Sequence, residues 1–296
     1  MKAAILIMAH DQPVHLAKLV ESLSCDWTRI FIHIDRKVDA AEFKKCIPEH
    51  KNIIILDDQY RIRVNWGGFS VVEAMLNLLN ASLNSKERFA RFCFLSGSDF
   101  PIKTLNHIKA CFDSEKEFMR VDRRLDASCN DSRYKYVRYL HFYDIPLQKI
   151  TRRIPRIPRK IYDKIKLYHG STWWSLTEEC IKYIMKFIQS NNDYTAFHKY
   201  SLCPDEIFFH SIVKSSPFAA NITHDFEKEN DLNSYFDLNE HGCHYIDWNV
   251  KGATLPKVLN ESDMNNLLRS EALFSRKFRE NDSGNLIQLL EKAIGK

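Results

Sequence analysis

Three charged side chains in the last third of the chain are of the types that group transfer uses. Glu206 stands in Leu-Cys-Pro-Asp-Glu-Ile-Phe-Phe, and Arg276 and Lys277 stand together in Leu-Phe-Ser-Arg-Lys-Phe. A carboxylate within hydrogen-bond reach of an attacking hydroxyl can take its proton. Two adjacent cations can stabilise the charge that grows on a departing diphosphate, as Mg²⁺ or Mn²⁺ does in other enzymes. No Asp-x-Asp occurs in the sequence, so the combination points to transfer from a nucleoside diphosphate with no metal cofactor. Each residue also has an ordinary reading. Acids in a first helical turn complement the helix dipole, and an Arg-Lys pair suits a helix surface. Phe274 and Phe278, on either side of the pair, favour at least one cation pointing inward.

Other candidates lie where apolar runs end. His10 closes the first run, on the donor side of such a site, and Asp35 closes the second in Phe-Ile-His-Ile-Asp, where a carboxylate can accept from a ribose hydroxyl or a base. A strand-end aspartate can equally cap a turn. Asp99, a candidate for acceptor contact, lies in Phe-Leu-Ser-Gly-Ser-Asp-Phe-Pro-Ile-Lys-Thr (94–104), a strand, a glycine turn, and a proline before a helix. Trp173 and Trp174 precede Glu206, and aromatic faces beside a carboxylate suit an acceptor sugar. The histidines show no metal-ligand spacing and read as ordinary polar or partly buried residues.

The elements that must position these residues follow from the apolar pattern. Strands are expected at 3–9, 30–35, 52–57, 91–97 and 118–122, with helices at 14–24, 40–46, 70–83 and 105–113. That alternation predicts an α/β fold with a mostly parallel central sheet flanked by helices, whose ligands bind beyond the carboxyl ends of the strands. A strand at 171–176, a helix to about 188, a second helix from Pro204, a strand near 244–247 and a helix near 285–293 complete the reading. Nothing divides the chain convincingly. It is read as a single catalytic domain over 1–296, with a nucleotide-binding half (1–122) and an acceptor and catalytic half (123–296).

Composition narrows the class. The 296 residues are 45% hydrophobic and 27% charged with net charge +5, ordinary for a globular protein and no call for nucleic acid. The first apolar run is too short to span a membrane. Eight dispersed cysteines without a Cys-x-x-Cys pair suit free thiols in a reducing cytoplasm. Residues 149–166 are eight-eighteenths basic and carry interspersed isoleucines. They form no recognisable nucleic-acid module and read either as a solvated basic loop or as a segment that rests peripherally on an anionic membrane surface.

Six segments then carry a resemblance. Val-Asn-Trp-Gly-Gly-Phe-Ser-Val-Val-Glu-Ala (64–74), the 94–104 segment, Gly-Ser-Thr-Trp-Trp-Ser-Leu (170–176), Cys-Pro-Asp-Glu (203–206), Tyr-Ile-Asp-Trp (245–248) and Leu-Phe-Ser-Arg-Lys-Phe (273–278) occur in order across nearly the whole chain. Together they resemble the core-2/I-branching β-1,6-N-acetylglucosaminyltransferase family, which includes the peptide O-xylosyltransferases. The resemblance implies a GT-A-type, Rossmann-like fold and an inverting transfer from a UDP-sugar without a divalent metal. It implies Glu206 as catalytic base, Arg276 and Lys277 at the diphosphate, Asp35 at the nucleoside, and Arg133 at the acceptor. A further basic donor contact falls on Lys251 or Lys257. Animal relatives carry an N-terminal anchor and structural disulfides, whereas this chain begins at its first strand, which suggests a bacterial member, cytoplasmic or peripheral at the inner face of the membrane, acting on a glycan or lipid-linked glycan. The alternative is a non-catalytic nucleotide-sugar or glycan-binding protein on the same fold.

Overall fold

The computed structural model describes residues 2–125, 135–138, 157–227, 239–248 and 256–295. Strand β1 (Ala3–Ala9) is the opening apolar run, and its side chains alternate between two cores. Ala4 and Leu6 join Phe31, Phe69, Met75 and Phe94, whereas Ala3, Ile5 and Ile7 join Leu16, Leu19, Phe43 and Ile108. A strand covered on both faces has no need of a polar side.

Strands β2 (Thr28–Ile34) and β4 (Arg91–Ser96) flank β1 in parallel, and β3 (Ile53–Ile55) continues parallel beyond β2. Parallel neighbours need crossovers, which helices supply. Helices α1 (Pro13–Leu23), α2 (Ala40–Cys46) and α4 (Leu105–Phe112) cover one face, and α3 (Ser70–Leu83) covers the other. The expected α/β architecture is therefore present, with the 3–9, 40–46 and 70–83 elements at their expected bounds.

Past β4 the sheet turns antiparallel. Strand β6 (Glu117–Leu125) pairs antiparallel with β7 (Leu167–Gly170) and with β8 (Ser175–Thr177), which also pairs antiparallel with β4, while β9 (Ile222–Asp225) lies parallel to β6. The single strand expected at 171–176 is instead two, separated by Ser171–Trp174. Helices α5 (Glu178–Ser190), α6 (Asn192–His198) and α7 (Phe208–Lys214) follow β8. The helix expected from Pro204 is a 3₁₀ turn, Pro204–Glu206, because Ile207 at φ −128° leaves the helical region before α7 starts.

A second, four-stranded sheet holds β5 (Asp99–Pro101), β10 (Glu240–His241), β11 (His244–Ile246) and β12 (Phe274–Arg276) in the order β10-β11-β12-β5. Phe100, Tyr245 and Phe278 of this region pack with Leu267 of α8 (Met264–Arg269) and with Leu286 and Leu290 of α9 (Gly284–Ala293). Arg276 thus lies on a strand and not at a helix start.

Within 157–166, Ile161 and Ile165 pack against the core, and the Arg159 guanidinium donates to Phe197 O and Ser201 Oγ, both at 2.7 Å, over the Phe197 ring. Those side chains face the protein, because an apolar surface lies beneath them, whereas Ile157, Lys160, Lys164 and Lys166 are exposed; residues 149–156 lie outside the described residues. The described cysteines are free thiols, and no helix among the described residues is long and apolar enough to cross a membrane.

Candidate active site

The carboxyl ends of β1 and β4 meet the loop after β12. Gln12, in the left-handed conformation at φ 58°, places its amide 3.4 Å from both Ser98 Oγ and Phe278 O and accepts from Glu280 N at 2.8 Å. This ties the β1 end to the turn carrying Asp99 and to the strand carrying Arg276. His10, beside it, is largely exposed and 3.8 Å from Asp11. Asp35, at the end of β2, is buried and accepts the backbone amides of Lys37 at 2.9 Å and Val64 at 3.4 Å through Oδ1. The turn-capping reading of Asp35 is realised.

Strand β12 runs antiparallel to β5 with Arg276 opposite Asp99. Asp99 is fully buried. Its carboxylate accepts from Ser96 N at 2.8 Å and Ser96 Oγ at 2.6 Å, pairs with His244 Nε2 at 3.1 Å, and lies 3.7 Å from Arg276 Nε. Burial opposes charge on His244, but Cys243 Sγ at one ring nitrogen and Asp99 at the other raise it to about 9. The guanidinium of Arg276 sits over the Trp173 ring, 4.5 Å from its centroid, a cation–π contact. Lys277 is half-buried and lowered by burial and by Arg279 and Arg276, with Asp11 pulling the other way. Lys257 pairs with Asp263 at 2.5 Å, and Lys251 lies outside the described residues.

Glu206 follows Cys203, which takes the left-handed conformation at φ 49°, and Pro204 at the first position of the turn. Cys203 N donates to Gly67 O at 2.8 Å, so the Trp-Gly-Gly loop borders this turn. Glu206 Oε2 lies 3.0 Å from His169 Nε2, and His169 Nδ1 lies 3.0 Å from Asp122 Oδ2. Asp122 Oδ1 accepts from Arg120 Nε at 2.6 Å. Burial opposes charge on both His169 and Asp122. The partners outweigh it, raising His169 and holding Asp122 well below the usual carboxylate range. Neighbouring Asp205 accepts from Thr172 Oγ1 at 2.7 Å, while burial and the Glu206 charge push its carboxyl up.

Residues 169–173 join the two halves: His169 contacts Glu206, Thr172 contacts Asp205, and Trp173 lies beneath Arg276. The backbone of 169–173 spans at most about 14 Å, so the carboxylate and the cation border the two ends of one short segment. The arrangement can accept a proton at one end and stabilise an anion at the other.

Two candidates for acceptor contact are corrected. Trp174 is fully buried between Phe94 and Phe209, with ring centroids 4.6 and 5.1 Å away, and offers no open face. Asp99 is likewise enclosed and serves His244 and Arg276. Trp173 retains a partly exposed ring, and Arg133 lies outside the described residues. His169, Asp122, Asp205, Thr172 and His244 were not singled out from sequence, and reading the histidines as ordinary missed His169. The available signal was His169 directly before a glycine in a chemistry-bearing segment. Among the described residues no group of three His, Cys, Asp or Glu side chains is arranged to hold a metal ion.

A family model described as "Core-2/I-Branching enzyme" matches residues 3–268. Xylosyltransferase 2 of Mus musculus is 22% identical over 302 residues, taking in 98% of this chain and 33% of that protein. A xylosyltransferase of Ciona intestinalis is 24% identical over 278 residues, 88% of this chain and 30% of its own. The chain therefore spans about a third of the length of the curated relatives it matches. Among solved structures, the apo form of mouse Xyloside xylosyltransferase 1 aligns with 95% of this chain and 99% of its own at 12% identity and a TM-score of 0.34.

Proposed function

The chain belongs to the Core-2/I-branching enzyme family, and on that footing we propose that it is a GT-A-type glycosyltransferase moving N-acetylglucosamine or xylose from a UDP-sugar to an acceptor hydroxyl with inversion. The acceptor oxygen attacks the anomeric carbon and its proton passes to Glu206. The bond from that carbon to the β-phosphate oxygen breaks, and its electron pair leaves with UDP. Arg276 and Lys277 stabilise the diphosphate as its charge grows, since charge-assisted contacts to phosphate are the strong ones. No divalent cation takes part. The acceptor is a glycan or a lipid-linked glycan.

The observation that carries this reading is the short segment 169–173, which holds a carboxylate at one end and an arginine at the other. Cation–π contact with Trp173 and the charge of Asp99 fix Arg276 before any ligand arrives, and preorganised charge costs no rearrangement during reaction. A panel of UDP-sugars, assayed by mass spectrometry for UDP release, tests the reading without knowledge of the acceptor. Slow release from one or two donors is expected. UDP binding with no release from any donor, with or without mixed glycan acceptors, would favour a binding protein instead.

A further inference from the structure

We propose that His169 is a positioning residue, held as an imidazolium between Asp122 and Glu206, that fixes the carboxylate which takes the acceptor proton; this deepens the transferase reading and rests on it. The local backbone accounts for the contact. In the pairing of β6 with β7, Val121 stands opposite Gly170 and Arg123 opposite His169, so Asp122 is the extra residue of a bulge. A bulge re-aims a side chain that regular pairing would place elsewhere, and here Asp122 reaches the His169 ring. Gly170 has no room for a side chain: a Cβ there would stand 1.9 Å from Arg120 O and 2.6 Å from His210 Cδ2. The strands are pressed together at this point.

The charge state follows from which atoms can donate. Ionised carboxylates only accept, so a ring between two of them donates from both nitrogens. Asp122 is fixed in turn by Arg120, whose Nη1 donates to Glu240 O at 2.9 Å and whose guanidinium lies over Phe226, 4.6 Å from the centroid. Among the described residues, Asp205 beside Glu206, His210 from α7 and His241 from β10 also face the clamp. Burial, followed by the His169 charge, lowers His210 to about 4, and burial with Arg120 lowers His241 to about 3. Both are neutral near pH 7, and His210 donates from Nε2 to Ser171 O at 2.8 Å. Among the described imidazoles beside the clamp, burial disfavours charge on His210 and His241, whereas Asp122 and Glu206 favour it on His169.

Two consequences separate this role from simple packing. While His169 is charged, its Nε2–H holds Glu206 Oε2 in one orientation. Loss of that proton would set a nitrogen lone pair against a carboxylate oxygen, and the clamp would open. Turnover should therefore fall on the alkaline side as His169 deprotonates, with donor binding little changed, because Arg276 and Lys277 are not in the clamp.

The experiment has two arms on the full chain. In the first, the ¹⁵N-histidine signals are titrated in wild type and Glu206→Gln. The expected result is a His169 ring protonated at both nitrogens at pH 7, with a pKa above the ordinary 6.5 that falls when Glu206 is neutralised. A neutral ring at pH 7, unmoved by Glu206→Gln, would overturn the proposal whether or not the protein proves to be a transferase. In the second arm, His169→Ala should lower kcat about 10²-fold, the scale of a 1 Å misplacement, while donor KM changes less than about twofold. His169→Gln, which keeps one N–H for Glu206, should recover part of the loss and lack the alkaline limb set by the imidazole. If His169→Ala does not fold, Asp122→Asn serves, with a lower His169 pKa and a lower kcat expected. Wild-type kcat and pH profile in folded His169 variants, alongside a Glu206→Gln that is inactive, would sink the positioning role and leave the transferase reading standing. UDP release from no donor by the wild type would sink that reading and the catalytic role of the clamp with it, and the titration in the first arm would still decide the charge on His169 by itself.

Discussion

Arg276 rests over Trp173 with its guanidinium carbon 4.5 Å from the ring centroid, so the cation proposed for the diphosphate is carried on an aromatic surface. Cation–π contacts are worth about 0.5–2 kcal/mol, which corresponds to roughly 2- to 30-fold in affinity. Trp173→Leu should weaken UDP binding within that range by calorimetry, and Arg276→Ala or Lys277→Ala should weaken it further and slow transfer. Unchanged UDP affinity in all three variants would place the pair outside the donor site.

The buried pair of His244 and Asp99 should make stability depend on pH. His244 stands at about 9 in the folded protein against an ordinary 6.5, so its contribution is complete below pH 6.5 and is lost as pH rises through 9. The full effect is about 3 kcal/mol at one pKa unit per 1.36 kcal/mol. Urea unfolding of wild type and His244→Gln at pH 6 and pH 9.5 measures it. The difference between the two proteins should shrink at the higher pH, and a constant difference would contradict the assignment.

Much of the scaffold was legible in sequence because strands buried on both faces and the amphipathic helices between them leave long apolar patterns. Strands β5 and β12, three residues each, leave none, and Arg276 was consequently open to a helix-surface reading. Glu206, Arg276 and Lys277 could be singled out by residue type and resemblance, and Trp173 by its aromatic face. The difference between Trp173 and its neighbour Trp174 was not legible, since one ring lies beneath Arg276 and the other between Phe94 and Phe209. Nor was the pairing of Asp122 with His169. They are 47 residues apart and meet only because a bulge in β6 sets the register.

The absence of Asp-x-Asp from the sequence leads to an expectation about cations. Transfer should proceed unchanged in excess EDTA, measured as UDP release from the preferred donor. Strict dependence on added Mn²⁺ or Mg²⁺ would overturn the metal-free account, in which Arg276 and Lys277 meet the charge of the leaving diphosphate.

The most direct test concerns Glu206. Glu206→Gln keeps the size of the side chain and removes its basicity, so UDP affinity should stay within about twofold of wild type while turnover with donor and acceptor falls by roughly 10²–10⁴, the usual worth of general-base catalysis. Steady-state UDP release by the two proteins, with UDP binding measured on the same preparations, provides the comparison. A variant that binds UDP normally and turns over at the wild-type rate would contradict the account and leave Glu206 as an ordinary acid in a 3₁₀ turn.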